Sequence, residues 1–120
     1  MSGRYDITIE QGATFCLPMT IKNHDGSHFD LTNWTGRGQI RKSHRATTVI
    51  CSFVFTYHDR LKGKMEAGLS DEVTQQIPAG EVVTDPRSKY VYDIEIENTT
   101  GQVKRLLEGN AYVSPEVTRS

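Results

Sequence analysis

The sequence predicts an all-β chain folded as an antiparallel β-sandwich, immunoglobulin-like or jelly-roll-like, with one short helix near residues 70–77. Three observations carry that prediction. Side chains alternate with a period of two, most clearly where Tyr90, Tyr92, Ile94 and Ile96 interleave with Val91, Asp93, Glu95 and Glu97. Turn residues recur roughly every 8–12 positions, the spacing of short sandwich strands. Only the stretch from Ser70 leaves this period: Ser70 can cap a helix, Asp71 and Glu72 suit its first turn, Val73 and Ile77 lie one turn apart, and Pro78 stops it.

The elements follow in order. Tyr5, Ile7 and Ile9 make the inward side of a short first strand, which Gln11-Gly12 interrupts. Phe15, Leu17, Met19 and Ile21 resume the pattern. Pro18, on the opposite parity, cannot donate to a ladder and places this second strand at an edge or a bulge. Asn23-His24-Asp25-Gly26-Ser27 is a turn, after which Phe29, Leu31 and Trp34 are expected to point inward. A third strand over Thr35–Arg41 places Gly36 and Gly38 on its inner side, where they admit a close neighbour, such as the indole of Trp34. Lys42 to Ala46 is a polar loop, and Thr48–Tyr57, rich in β-branched and aromatic residues, reads as a central strand. A tight turn at His58-Asp59-Arg60 leads into a strand over Leu61–Ala67.

Ala79-Gly80 to Ser88 is a loop containing Pro86, followed by a hairpin whose turn is Asn98-Thr99-Thr100-Gly101. Its second arm breaks alternation at Leu106-Leu107, which marks a bulge, as does Gly109. Residues 1–120 form a single domain, with about 114–120 leaving as an extended tail.

Charge and composition narrow the function. A formal net charge of −1 lacks the basic footprint of a nucleic-acid binder. A hydrophobic content of 36% is thin for a self-sufficient globule and points to oligomeric support. No apolar run reaches the length of about 18 residues that a membrane span requires, and Met1 to Gly12 has no signal-peptide core, so synthesis in the cytosol is expected. Cys16 and Cys51 are read as free thiols on opposite strand faces.

Several clusters could carry chemistry. His24, His28, Asp25 and Asp30 could ligate zinc or nickel, but a glycine turn does not converge donors, and an exposed turn with no metal is the favoured reading. Asp93, Glu95 and Glu97 could hold a hard cation, but Lys104 on the returning arm offers a cross-strand partner. Arg37, Arg41, Lys42, His44 and Arg45 form a local basic cluster with no aromatic residue to stack a base; a solvated loop is the favoured reading, ahead of a protein contact and well ahead of nucleic acid. No nucleophile triad, paired-acid site or phosphate loop is present, so a non-catalytic chain without cofactor or catalytic residues is expected.

Three stretches, YDITIEQGATF at Tyr5–Phe15, DG…FDLTNWTGRGQIR at Asp25–Arg41 and YVYDIEIENTTGQVKRLLEGNAYVSPEVTR at Tyr90–Arg119, occur in order with LS…IPAG at Leu69–Gly80 between the last two. Together they resemble small β-sandwich proteins of tailed-bacteriophage virions, of the baseplate and tail-fibre-attachment type. The first half is also similar to the N-terminal domain of siphophage baseplate upper proteins. The resemblance implies a structural protein that assembles with other virion proteins at the tail, baseplate or fibre junction, repeated by three-fold or six-fold particle symmetry. Composition and charge add the expectation of no membrane and no nucleic-acid partner. Arg4, Lys42, His44, Arg45, Pro115, Glu116, Val117 and Arg119 are the candidate protein contacts. The alternatives are a capsid decoration protein, a regulator of a host enzyme, and a carbohydrate-binding module. The last would expose Trp34, Tyr57, Tyr90 or Tyr112.

Overall fold

Alternation gives each strand one apolar face, and the fold buries those faces against one another in two sheets. The computed structural model describes residues 3–43, 45–78 and 88–115. Among these, the strands are β1 (Gly3–Arg4), β2 (Ile7–Glu10), β3 (Phe15–Thr20), β4 (Trp34–Arg41), β5 (Val49–Ser52), β6 (Val54–Asp59), β7 (Lys64–Leu69), β8 (Ser88–Asn98) and β9 (Val103–Ser114). A 3-10 turn at Arg60–Lys62 precedes β7, and helix α1 (Asp71–Gln75) follows it. The large sheet runs β1-β9-β8-β4-β5, with β2 continuing the line of β1 along β9; the small sheet runs β3-β7-β6. The chain is an all-β sandwich.

The core lies where the sequence places it. Ile40, Tyr90, Tyr92 and Ile94 of the large sheet bury against Ala67 and Leu69 of the small one, and Ile7, Ile9, Ala111 and Val113 extend the cluster toward the first edge. Leu31, Met65 and Ile96 form a second cluster, flanked by half-buried Phe29, Trp34 and Tyr57. Each fully buried aliphatic side chain here stabilises the fold by about 1.5–3 kcal/mol.

β3 is an edge strand, consistent with Pro18, which faces solvent opposite Glu66. Ser70 caps α1 by accepting from the Val73 amide at 3.3 Å. The buried residue of the helix is Thr74, whose hydroxyl donates to the Ala13 carbonyl at 2.8 Å and accepts from the Gly12 amide at 3.1 Å. That pair of bonds ties the helix to the turn joining β2 and β3. The loop expected from Ala79 lies outside the described residues up to Arg87.

Five expectations about the strands and their packing are corrected first. First, β1 and β2 run parallel to β9, Gly3 facing Leu107 and Glu10 facing Ser114, whereas the other strand pairs are antiparallel. Alternation specifies a face and not a direction, so this was not readable from pattern. Second, Tyr5 is 53% exposed; it lies in the break between β1 and β2, where the Asp6 carboxylate takes the Asn110 amide at 2.9 Å. Third, Gly109 sits in unbroken register opposite Tyr92 and is no bulge; a Cβ there would run into the Tyr5 carbonyl. Fourth, Thr48–Tyr57 is no central strand. It splits at buried Phe53 into β5, the edge of the large sheet, and β6, the edge of the small one, because the same β-branched and aromatic composition suits either sheet. Fifth, the glycines of β4 admit Phe55 and Phe53 and not the indole. A Cβ at Gly36 would lie 2.8 Å from Phe55, and one at Gly38 would lie 3.1 Å from Phe53, while Trp34 packs edge-on to Phe29.

The turn before β7 falls later than expected, since β6 continues to Asp59. Gly63 ends it with φ of 70°, and the carbonyls of Ile21 and Phe29 leave no room for a Cβ. Arg60 anchors the same region by donating to the carbonyls of Leu31 at 3.0 Å and Trp34 at 2.6 Å, with its guanidinium 3.8 Å above the Tyr57 ring.

Gly101, in the β8–β9 turn, also has positive φ, at 89°, but open space around it. Gly101→Ala is therefore expected to cost about 1–2 kcal/mol for the left-handed conformation alone. Gly63→Ala should cost more, by a further 1–3 kcal/mol or so of overpacking. Urea unfolding of the two variants measures the difference, and equal losses would contradict the crowding at Gly63.

Candidate functional site

The structure divides the residues singled out as protein contacts. Lys42 and Arg45 are exposed just beyond β4, and Pro115 follows the end of β9, at the same end of the large sheet. Arg4 stands elsewhere, on edge strand β1 opposite Glu108, with Nη2 3.8 Å from Asp6 Oδ1. His44, Glu116, Val117 and Arg119 lie outside the described residues. The basic cluster read around Arg37 and Arg41 does not stay together. Arg41 donates to Gln39 at 2.8 Å and to the Ala46 carbonyl at 2.7 Å, and Arg37 turns onto the acids of β8.

Those acids are the centre of the outer face of the large sheet. Arg37 Nε lies 2.9 Å from Glu95 Oε1, and its Nη1 lies 3.5 Å from Glu97. Arg105 approaches from β9, 3.7 Å from Glu95, 4.0 Å from Asp93 and 3.1 Å from Glu108. A shallow groove of about 720 Å³ runs over these side chains and Arg41. The partner expected for the acids was Lys104, and it is the wrong residue. β8 and β9 slip by one position between Ile94 and Glu95, so Glu95 faces Arg105 and Lys104 faces buried Ile96. The doubled leucine signals the bulge, and the bulge is what brings Arg105 to the face of the acids.

The ladder tunes its members. The hydrogen bond and charge of Glu95 raise the Arg37 guanidinium above its ordinary value. Asp93 is raised too, first by partial burial and then by the Glu95 charge, with Arg105 and Arg41 opposing. Pairs this exposed contribute about 0–1 kcal/mol each, so the face gives pattern more than stability.

Among the described residues, no three of His, Cys, Asp and Glu converge on a point that a metal could occupy. Asp25 is committed to its own turn, accepting from the Ser27 amide at 2.9 Å and hydroxyl at 2.6 Å, bonds that lower its pKa. On the outer face of the small sheet, His58 Nε2 lies 3.5 Å from Glu66. Of the aromatics that a sugar platform would need, Tyr90 is buried and donates to the Pro78 carbonyl at 2.6 Å. Tyr57 accepts the Gly36 amide at 2.7 Å, and Trp34, Tyr57 and Tyr112 are half-buried. Comparison with protein-family models and with curated proteins gives no match.

The outer face of the large sheet is thus one of paired charges. Two consequences can be measured. A carboxyl whose folded pKa lies above its unfolded value opposes folding once it ionises, so its effect appears as pH rises through the ordinary carboxylate value and is absent below it. Asp93→Asn removes that ionisation, and its stability relative to the parent chain should rise between about pH 3 and about pH 6 in urea titrations. A flat or falling difference would mean that Arg105 outweighs burial. The thiols should also separate. Burial pushes Cys51 up to about 11, whereas Cys16 is exposed, so maleimide labelling at about pH 8 followed by peptide mapping should find Cys16 modified well before Cys51.

Proposed function

We propose that this chain is a non-catalytic structural component of a tailed-phage virion, joining protein subunits at the tail, baseplate or fibre junction. The observation that carries the reading is the unequal treatment of the two edges of the small sheet. β3 carries Pro18, which blocks strand addition, while β6 presents Val54 at 71% exposure and, among the described residues, pairs with nothing beyond β7. An edge kept open beside one that is blocked suits docking of a neighbouring strand, in which backbone bonds supply affinity and alternate side chains supply specificity. The three stretches that resemble baseplate and fibre-attachment sandwiches supply the virion context. Lys42, Arg45 and Pro115, together at one end of the large sheet, are the contacts assigned to neighbouring subunits, and three-fold or six-fold repetition multiplies weak contacts.

Mass spectrometry of gradient-purified particles, with copy number set against the major capsid protein, tests this. A small multiple of three or six per particle is the expected result. Many copies would move the chain to capsid decoration, and absence from particles would overturn the reading.

A further inference from the structure

Among the described residues, the end of the sandwich far from Lys42 and Arg45 holds a second open edge. β9 pairs with β8 from Val103 to Val113, but on its other side only Leu107–Glu108 and Ala111–Ser114 meet β1 and β2. Among the described residues, Val103–Leu106 therefore carry no strand on that side, and Val103 is 41% exposed. Beside them lies a groove of about 650 Å³, its wall formed by Ile21, Phe29 and Leu106 and its rim by Lys22 and Lys104.

The charge at this rim is unbalanced. The bulge turns Lys104 onto the inner face beside Ile96, where Nζ stands 5.0 Å from the centre of the Phe29 ring. Among the described residues, neither Lys104 nor Lys22 has a carboxylate partner. Asp25, the acid in the groove lining, already accepts two bonds from Ser27. Arg105, also at the groove, is spent on the acids of the outer face.

We propose that this groove docks an extended acidic and apolar segment of another protein, added as a short strand to Val103–Leu106. Strand addition sends alternate side chains to the same side. An apolar residue on the groove side then packs on Phe29 and Leu106, and carboxylates two positions away meet Lys22 and Lys104. Four residues of free edge span about 13 Å, so a single contact is weak and its partner segment is short. The site rests on the geometry of this end and not on the virion reading, so particle composition and peptide binding fail independently.

The test is an amide-resolved NMR titration of the full chain with acetyl-Glu-Thr-Val-Thr-Glu-amide, whose valine and two carboxylates share one strand face, and with acetyl-Lys-Thr-Val-Thr-Lys-amide as the charge-reversed probe. The acidic peptide should shift the amides of Val103–Leu106 and of Lys22 and its neighbours, and the basic peptide should not. Lys22→Glu combined with Lys104→Glu replaces two exposed side chains. It should leave the rest of the spectrum in place, weaken the acidic peptide at least tenfold (about 1.4 kcal/mol) and admit the basic one. Lys22→Arg with Lys104→Arg should retain binding. No shifts at millimolar peptide, equal shifts from both peptides, or shifts centred on β6 would overturn the proposal. So would concentration-dependent shifts at Val103–Leu106 without peptide, which would make the occupant a second copy of this chain.

Discussion

Leu106 has no residue opposite it in β8. Ile94 faces Leu107 and Glu95 faces Arg105, so β9 carries one residue more than its partner and every side chain from Val103 to Arg105 stands on the face opposite to that of an unbroken register. Without the bulge, Arg105 would face Ile96 on the core side, where a guanidinium lacks both water and a carboxylate, and Lys104 would face Glu97 outside. Burying an unpaired charge is costly enough to disfavour that register on its own. With the bulge, the guanidinium reaches Glu95, Asp93 and Glu108, Lys104 needs only to overhang Phe29 at the mouth of the sandwich, and half-buried Leu106 packs on both apolar clusters. The outer charge ladder and the groove at the sandwich mouth are two results of one extra residue.

The small sheet covers the large one with only three strands, and the fit depends on side chains that cross between them. β4 gives up side-chain volume at Gly36 and Gly38 so that Phe55 and Phe53 can approach its backbone. Phe53 sits where the chain leaves one sheet for the other, held by its own amide donating to the Gly38 carbonyl at 3.0 Å and by an edge-on contact with Tyr92. On the opposite side Thr74 and Gln11 bind the helix to the β2–β3 turn. Two of the crossings between the sheets, β2 to β3 and β5 to β6, are thereby pinned by hydrogen bonds to backbone groups, which apolar packing alone would leave free to slide.

Much of this was legible in sequence wherever a single residue type has one physical meaning. Pro18 meant an edge or a bulge, and it is an edge; Ser70 meant a cap, Asp25-Gly26 meant a turn, and the period of two in β8 assigned every side chain of that strand to its face. The readings that failed involved choices that local pattern leaves degenerate. Nothing in Ile7 and Ile9 says that their neighbour is β9 or that it runs parallel. Nothing in Thr48–Tyr57 says that the strand changes sheets at Phe53, because the aromatic at the corner looks like one in the middle. The partner of the acids is Arg105 and not Lys104, because which residue of the returning arm shares their face depends on where the bulge falls. Of the residues read as contacts, Lys42, Arg45 and Pro115 do share one end, a proximity that follows from the antiparallel order of β4, β8 and β9 and not from their spacing in sequence.

The three open features face different directions, and that separation bears on how such a chain could connect neighbours. β6 borders the small sheet on the side where the chain crosses at Phe53, while the free part of β9 lies across the large sheet from β5. The Lys42 and Pro115 end is set apart from the β9 groove along the strand axis: Ser114 pairs with Glu10 at one end of β9, and Val103 with Glu97 at the other, about 35 Å of strand apart. Contacts spaced this way cannot be covered by one small partner. A chain using them would sit between subunits, and each short contact would need only modest strength, because the second and third engagements become intramolecular once the first has formed.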